Sequence, residues 1–95
     1  MNIKALHDQG KAVSAKVFFR GEQGSTTALQ ILQNQQLKKH ITNVPALLIC
    51  VEGKVVFNNE QGMEVTLLPG DYVAIKPMVT HWVDAMVDSY LLLIK

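Results

Sequence analysis

The stretch Thr66-Leu67-Leu68-Pro69-Gly70-Asp71-Tyr72-Val73-Ala74-Ile75-Lys76-Pro77-Met78-Val79-Thr80-His81 reads as strand, tight turn, strand, second turn and imidazole. Pro69 presets φ for a turn, and Gly70 accepts the positive φ that follows it. The chain leaves as a short strand over residues 72–75, is punctuated again by Pro77, and arrives at His81. A histidine just past a rigid turn is placed to face a cleft, so the rest of the chain must say what else faces it.

Outward from this stretch the pattern stays β. Residues 82–86 and 89–94 follow it, separated by Val87-Asp88. Before it, residues 63–68 alternate, and Asn59-Glu60-Gln61-Gly62 turns the chain after a run over 55–58. Glu52-Gly53-Lys54 reads as a two-residue hairpin connection, because Gly supplies the φ that a primed turn requires. Residues 46–51 form an apolar run of core-strand type, entered through the turn Asn43-Val44-Pro45. Runs over 16–20, 26–32 and 35–42 complete the set, broken by Gly21-Glu22-Gln23-Gly24-Ser25 and Gln33-Asn34. A helix over 27–39 is the alternative for one segment, but its Thr-rich entry and flanking breaks favour strands. Short strands with regularly spaced turns predict an all-β, single-domain jelly-roll barrel over 15–95. Residues 1–14 are expected to form an N-terminal arm or an edge strand.

Composition narrows the function. With 95 residues, 48% hydrophobic and 18% charged, the chain builds one core. Such an apolar content on a short chain predicts a partner surface, and a homodimer is expected. The formal charge of +1 is scattered, and Lys38-Lys39 is the only basic doublet. Nucleic acid is therefore not an expected partner. Apolar runs fall short of a membrane span, the first residues lack a signal-peptide core, and the cytoplasm is the expected location. Cys50 is alone in an apolar run and reads as a buried small hydrophobe. Gly21-Glu22-Gln23-Gly24 lacks the Lys and the following helix of a phosphate loop.

The stretch from Gly70 through Pro77 to His81 resembles the second motif of the cupins, small β-barrel proteins. Gly70 and His81 stand at the motif's separation; Lys76 takes the place of its Pro, with Pro77 beside it. Met78 replaces the inner Gly and Ala85 the closing Asn. Counting back from Gly53 in the first motif sets Ala46 at its Glu, Thr42 and His40 at its two His, and Asn34 at its opening Gly. The resemblance, over roughly residues 26–94, implies a double-stranded β-helix (the RmlC-like barrel) and a divalent metal, zinc, iron, manganese or nickel. Of the family's metal ligands, His40 and His81 remain, with water or another group such as His7 to complete the shell. Alternation along strands sets His40 and Thr42 on one face, Ala46, Leu48 and Cys50 on another, and His81, Val83 and Ala85 on a third. The pocket expected from these is His40, Thr42, Ala46, Leu48, His81 and Val83. Asp84 alternates away from His81, and Trp82 faces outward, where a dimer interface is expected.

Three functions follow as expectations. The first is a small-molecule-binding barrel with a degenerate metal site. The second is a metal-dependent enzyme of the cupin type, an oxygenase or isomerase, using His40 and His81. The third is a dimeric interaction module with a vestigial pocket.

Overall fold

In a computed structural model describing residues 1–95, the alternating runs become nine strands in two antiparallel sheets. They are β1 (Val13–Arg20), β2 (Ser25–Ile31), β3 (Gln36–His40), β4 (Ala46–Glu52), β5 (Val55–Asn59), β6 (Glu64–Leu67), β7 (Tyr72–Ile75), β8 (His81–Ala85) and β9 (Ser89–Ile94). One sheet has the order β1-β2-β9-β4-β7, the other β3-β8-β5-β6. The all-β jelly roll expected from the sequence is the fold observed, and no helix is long and apolar enough to cross a membrane.

The alternation assigns the core. Leu48 and Cys50 on β4, Val55 and Phe57 on β5, Val83 and Ala85 on β8, and Leu91 on β9 all turn inward and pack in one apolar cluster. Burying each Phe or Leu side chain stabilises the fold by about 1.5–3 kcal/mol. Cys50 is buried and free, and burial, with a further contribution from Asp71, pushes its thiol up from the ordinary range.

Strand limits differ from the sequence expectation at the N-terminal end of the chain. Residues 1–14 are not a single unit: a 3-10 turn spans Ile3–Leu6, and β1 begins at Val13. Pairing with β2 extends β1 backwards, because Val13 and Ser14 lie opposite Ile31 and Gln30. A bulge falls between Val17 and Phe19 at this sheet edge.

Glu52-Gly53-Lys54 does not close a hairpin. β4 pairs with β7 and β9, whereas β5 pairs with β6 and β8, so this connection is a corner between sheets. Gly53 has φ +100, and a Cβ there would run into Ser89 Oγ and lie 2.6 Å from Asp88 O. Glycine is required there by close backbone approach as well as by φ. The Ser89 hydroxyl accepts from the Lys54 N–H at 3.1 Å and ties the corner to the β8–β9 turn.

The Pro69-Gly70-Asp71 turn is likewise a crossing, from β6 to β7. Gly70 has φ +93 and donates its N–H to Cys50 O at 2.7 Å. Asp71 carboxylate caps the turn by accepting from Leu68 N–H at 2.9 Å. Two non-glycine residues are left-handed, Asn34 and Met78, each with φ 64. Both are positions at which the cupin motifs carry Gly. The backbone has kept the motif's geometry where the side chain departs from it.

Candidate functional site

β3, β8 and β5 lie side by side, and their register sets His40 opposite His81 and His81 opposite Asn59. The two imidazoles meet edge to face, with centroids 4.2 Å apart and planes at 62°. Their Nε2 atoms are 3.0 Å apart. Phe57 stacks against the other side of His81, with centroids 5.7 Å apart and planes at 25°. His81 is 2% exposed, while His40 is half-buried, so solvent reaches the pair past His40.

Backbone carbonyls assign the protons. His40 Nδ1 lies 2.8 Å from Lys38 O, and His81 Nδ1 lies 3.1 Å from Val79 O. A carbonyl can only accept, so each Nδ1 is the donor and each neutral ring presents a bare Nε2 lone pair. Two lone pairs therefore converge at hydrogen-bonding distance with no proton of their own between them. Burial holds the His81 imidazole below its usual range, partly offset by the Val79 carbonyl and reinforced by the neighbouring His40.

The remaining expected site residues divide. Ala46 and Leu48 on β4 and Val83 on β8 belong to the apolar cluster. Thr42 is buried, but its hydroxyl donates to Val44 O at 2.9 Å, and its carbonyl accepts from Met78 N–H at 2.8 Å. It anchors the left-handed turn before His81. None of the four surface cavities is lined by any of the six expected residues. The largest, about 540 Å³, opens between the free edges β6 and β7 and is lined by Asn59, Glu64, Val65, Ala74 and Lys76 among others. Asn59 is common to that cleft and to the imidazole row.

Phe57 and Asn59 are additions that sequence reasoning did not reach. Both share a face of β5, but only the β5–β8 pairing brings that face to His81, and no local pattern encodes the pairing. Trp82 does face outward as alternation requires; it is half-buried, with Lys39 Nζ 4.9 Å from its ring centroid.

A divalent metal finds an incomplete donor set here. No three His, Cys, Asp or Glu side chains converge anywhere in the chain, whereas zinc sites use three or four protein ligands. Asp84 is engaged by Gln36 Nε2 at 2.7 Å and Asn58 Nδ2 at 3.3 Å, and Asp71 caps its turn. His7 cannot complete the shell, because its Nδ1 is 2.8 Å from Ser14 Oγ, on the outer face of the other sheet. The residues present do not make up a metal centre by themselves.

No protein-family model and no curated protein matches the chain. Solved structures do. A cupin superfamily protein from Desulfitobacterium hafniense superposes with a TM-score of 0.85 at 11% identity, over 98% of this chain and 84% of that one. A cupin-2 domain containing protein from Shewanella frigidimarina gives a TM-score of 0.81 at 17% identity, over 100% of this chain and 92% of that one. An uncharacterized conserved protein with a double-stranded β-helix domain from Klebsiella pneumoniae gives 0.84 at 11% identity, over 99% and 85%. At such identities the likeness speaks to architecture, and with the two sheets, the corner turns and the motif positions it establishes that the chain has the cupin fold.

Proposed function

We propose that the protein is a small-molecule-binding cupin-fold barrel whose recognition group is the His40–His81 pair. The observation that carries this is the 3.0 Å approach of two Nε2 atoms whose rings already spend their Nδ1 protons on Lys38 and Val79 carbonyls. Such a pair is completed by a hydrogen-bond donor. A compact ligand bearing a hydroxyl or acid group supplies one, and Phe57 beneath His81 fixes the ring that receives it. Asn59, beside His81 in register, links the pair to the 540 Å³ cleft, which offers Glu64 and Lys76 as polar contacts and Val65 and Ala74 as apolar ones.

Thermal-shift screening with sugars, small acids and aromatic compounds tests the reading. At least one class is expected to raise Tm, and the rise is expected to vanish in His40→Gln and His81→Gln. Absence of any shift overturns it in favour of a vestigial pocket. Elemental analysis of protein purified without added metal is expected to show far less than one equivalent. A bound equivalent lost in His40→Ala and His81→Ala would favour the metal-dependent enzyme instead.

A further inference from the structure

The N-terminal residues run across the outer face of the five-stranded sheet, over a single row of side chains. Register sets Ser14 opposite Gln30, Gln30 opposite Tyr90, and Tyr90 opposite Glu52, one residue from each of β1, β2, β9 and β4. Each meets the N-terminal segment. His7 Nδ1 is 2.8 Å from Ser14 Oγ. Gln30 Nε2 donates to Asp8 O at 3.2 Å and Lys11 O at 3.0 Å. Lys4 Nζ sits 5.6 Å from the Tyr90 ring centroid and 3.0 Å from Glu52 Oε2.

This strap is held by polar clasps rather than by a core. None of residues 3–6 is buried, and His7 is the one buried residue among the first thirteen. Cavities of about 390 Å³ (Met1, Asn2, Ile3, Leu6, Phe18) and about 130 Å³ (between Asn2–Lys4 and Val51, Glu52, Tyr90) flank the 3-10 turn. The Lys4–Glu52 pair is half-exposed and adds little. The only two buried side-chain polar atoms without a partner are also here, His7 Nε2 and Gln30 Oε1. Gln30 cannot be turned to relieve this, since Asp8 O and Lys11 O both require its N–H donors. His7 is thus the segment's one buried, titratable side chain, and one of its ring nitrogens is unpartnered.

We infer that residues 1–12 form a detachable strap and that His7 is its latch, closed when the imidazole is neutral and opened when it takes a second proton. The charged and titratable groups facing it are Lys16 beside Ser14 on β1, Tyr90 on β9, Glu52 on β4, and Lys4, Asp8 and Lys11 on the strap itself; β2 contributes only the neutral Gln30. Burial, then Lys16, lowers the affinity of His7 for that proton. The open form binds a proton more readily than the closed one, so closure is complete above about pH 6.5 and weakens as pH falls. Each pH unit below that raises the open population by up to about tenfold, until the closed-state value is reached. Opening uncovers Ser14, Gln30 and Tyr90 together.

Hydrogen–deuterium exchange of the full chain at pH 7.5 and 5.5, corrected for intrinsic exchange, tests this. Protection of residues 3–12 is expected to fall by up to about tenfold, with β4 and β9 unchanged. His7→Gln is expected to remove the pH dependence, whatever its baseline protection. Lys4→Gln is expected to retain it. Protection independent of pH in the native protein overturns the latch. So does a pH response undiminished in His7→Gln, or a loss shared equally by β4 and β9, which would mean general unfolding.

Discussion

Replacing Met78 with glycine is expected to stabilise this protein. Met78 holds φ 64, a left-handed conformation that costs an ordinary L-residue about 1–2 kcal/mol. The turn leaves it no alternative, because its N–H is held by Thr42 O at 2.8 Å and His81 follows three residues later. Glycine removes the Cβ clash but costs about 0.5–1 kcal/mol in the extra freedom of the unfolded chain. The side chain is 61% exposed, so little apolar burial is lost. The balance is a gain of about 0.5–1 kcal/mol, or about 2–8 °C in Tm for a domain of this size. Reversible thermal unfolding followed by circular dichroism at pH 7.5 measures it.

Two companions isolate the cause. Met78→Ala keeps the Cβ and is expected to show no gain. Asn34 has the same φ, but asparagine visits this region at little cost, so Asn34→Gly is expected to leave Tm unchanged or lower it by a few degrees. A fall in Tm for Met78→Gly, or an equal rise for Asn34→Gly, would refute the assignment of strain to Met78.

Gly53→Ala is expected to destabilise by about 2–5 kcal/mol, combining left-handed strain with overpacking against Ser89 and Asp88; urea unfolding measures the loss. Stability is expected to fall on acidification below about pH 6.5. His7 and His81 are both held below the usual imidazole range, so the unfolded chain takes up more protons there; urea midpoints at pH 7.5 and 5.5 give the sign. Homodimerisation is expected from the apolar content and from exposed Val51, Tyr72 and Ile94 in the five-stranded sheet, and a monomeric mass by light scattering at high concentration would remove it.

What could be read from the sequence was what is encoded locally. The turns at Pro69-Gly70 and Asn59–Gly62, the alternation of Ala46, Leu48 and Cys50, and the inward set His81, Val83 and Ala85 each depend on a few neighbouring residues. Pairing does not. Glu52-Gly53-Lys54 has the composition of a hairpin turn, yet in a jelly roll the chain changes sheet there: β4 pairs with β7 and β9 in one sheet, and β5 with β6 and β8 in the other. The same non-locality hid Phe57 and Asn59, and hid the row Ser14, Gln30, Tyr90 and Glu52 beneath the N-terminal strap. His40 and His81 were found by motif spacing, but their tautomers depend on two carbonyls, each two residues before its histidine, which only strand geometry reveals.

Met78 and Asn34 bear on how a barrel of this kind can change its chemistry. At both positions the backbone keeps the left-handed turn, though neither is glycine. At Ala46 the site has no acid where the cupin motif carries Glu. A turn conformation is enforced by everything hydrogen-bonded around it: Met78 N–H to Thr42 O, Asn34 N–H to Ala85 O at 2.9 Å. Replacing glycine there costs about 1–2 kcal/mol for Met78 and little for Asn34, a small part of the stability of a domain. A carboxylate facing a barrel interior is enforced by nothing but its ligand, and burying it unpaired costs more than losing it. In a barrel that binds no metal such an acid is expendable, whereas the turns must stay for the strands to meet. His40 and His81 can persist without it because each ring pairs one nitrogen with its own strand's backbone, and they leave two lone pairs facing each other at the mouth of an otherwise apolar core.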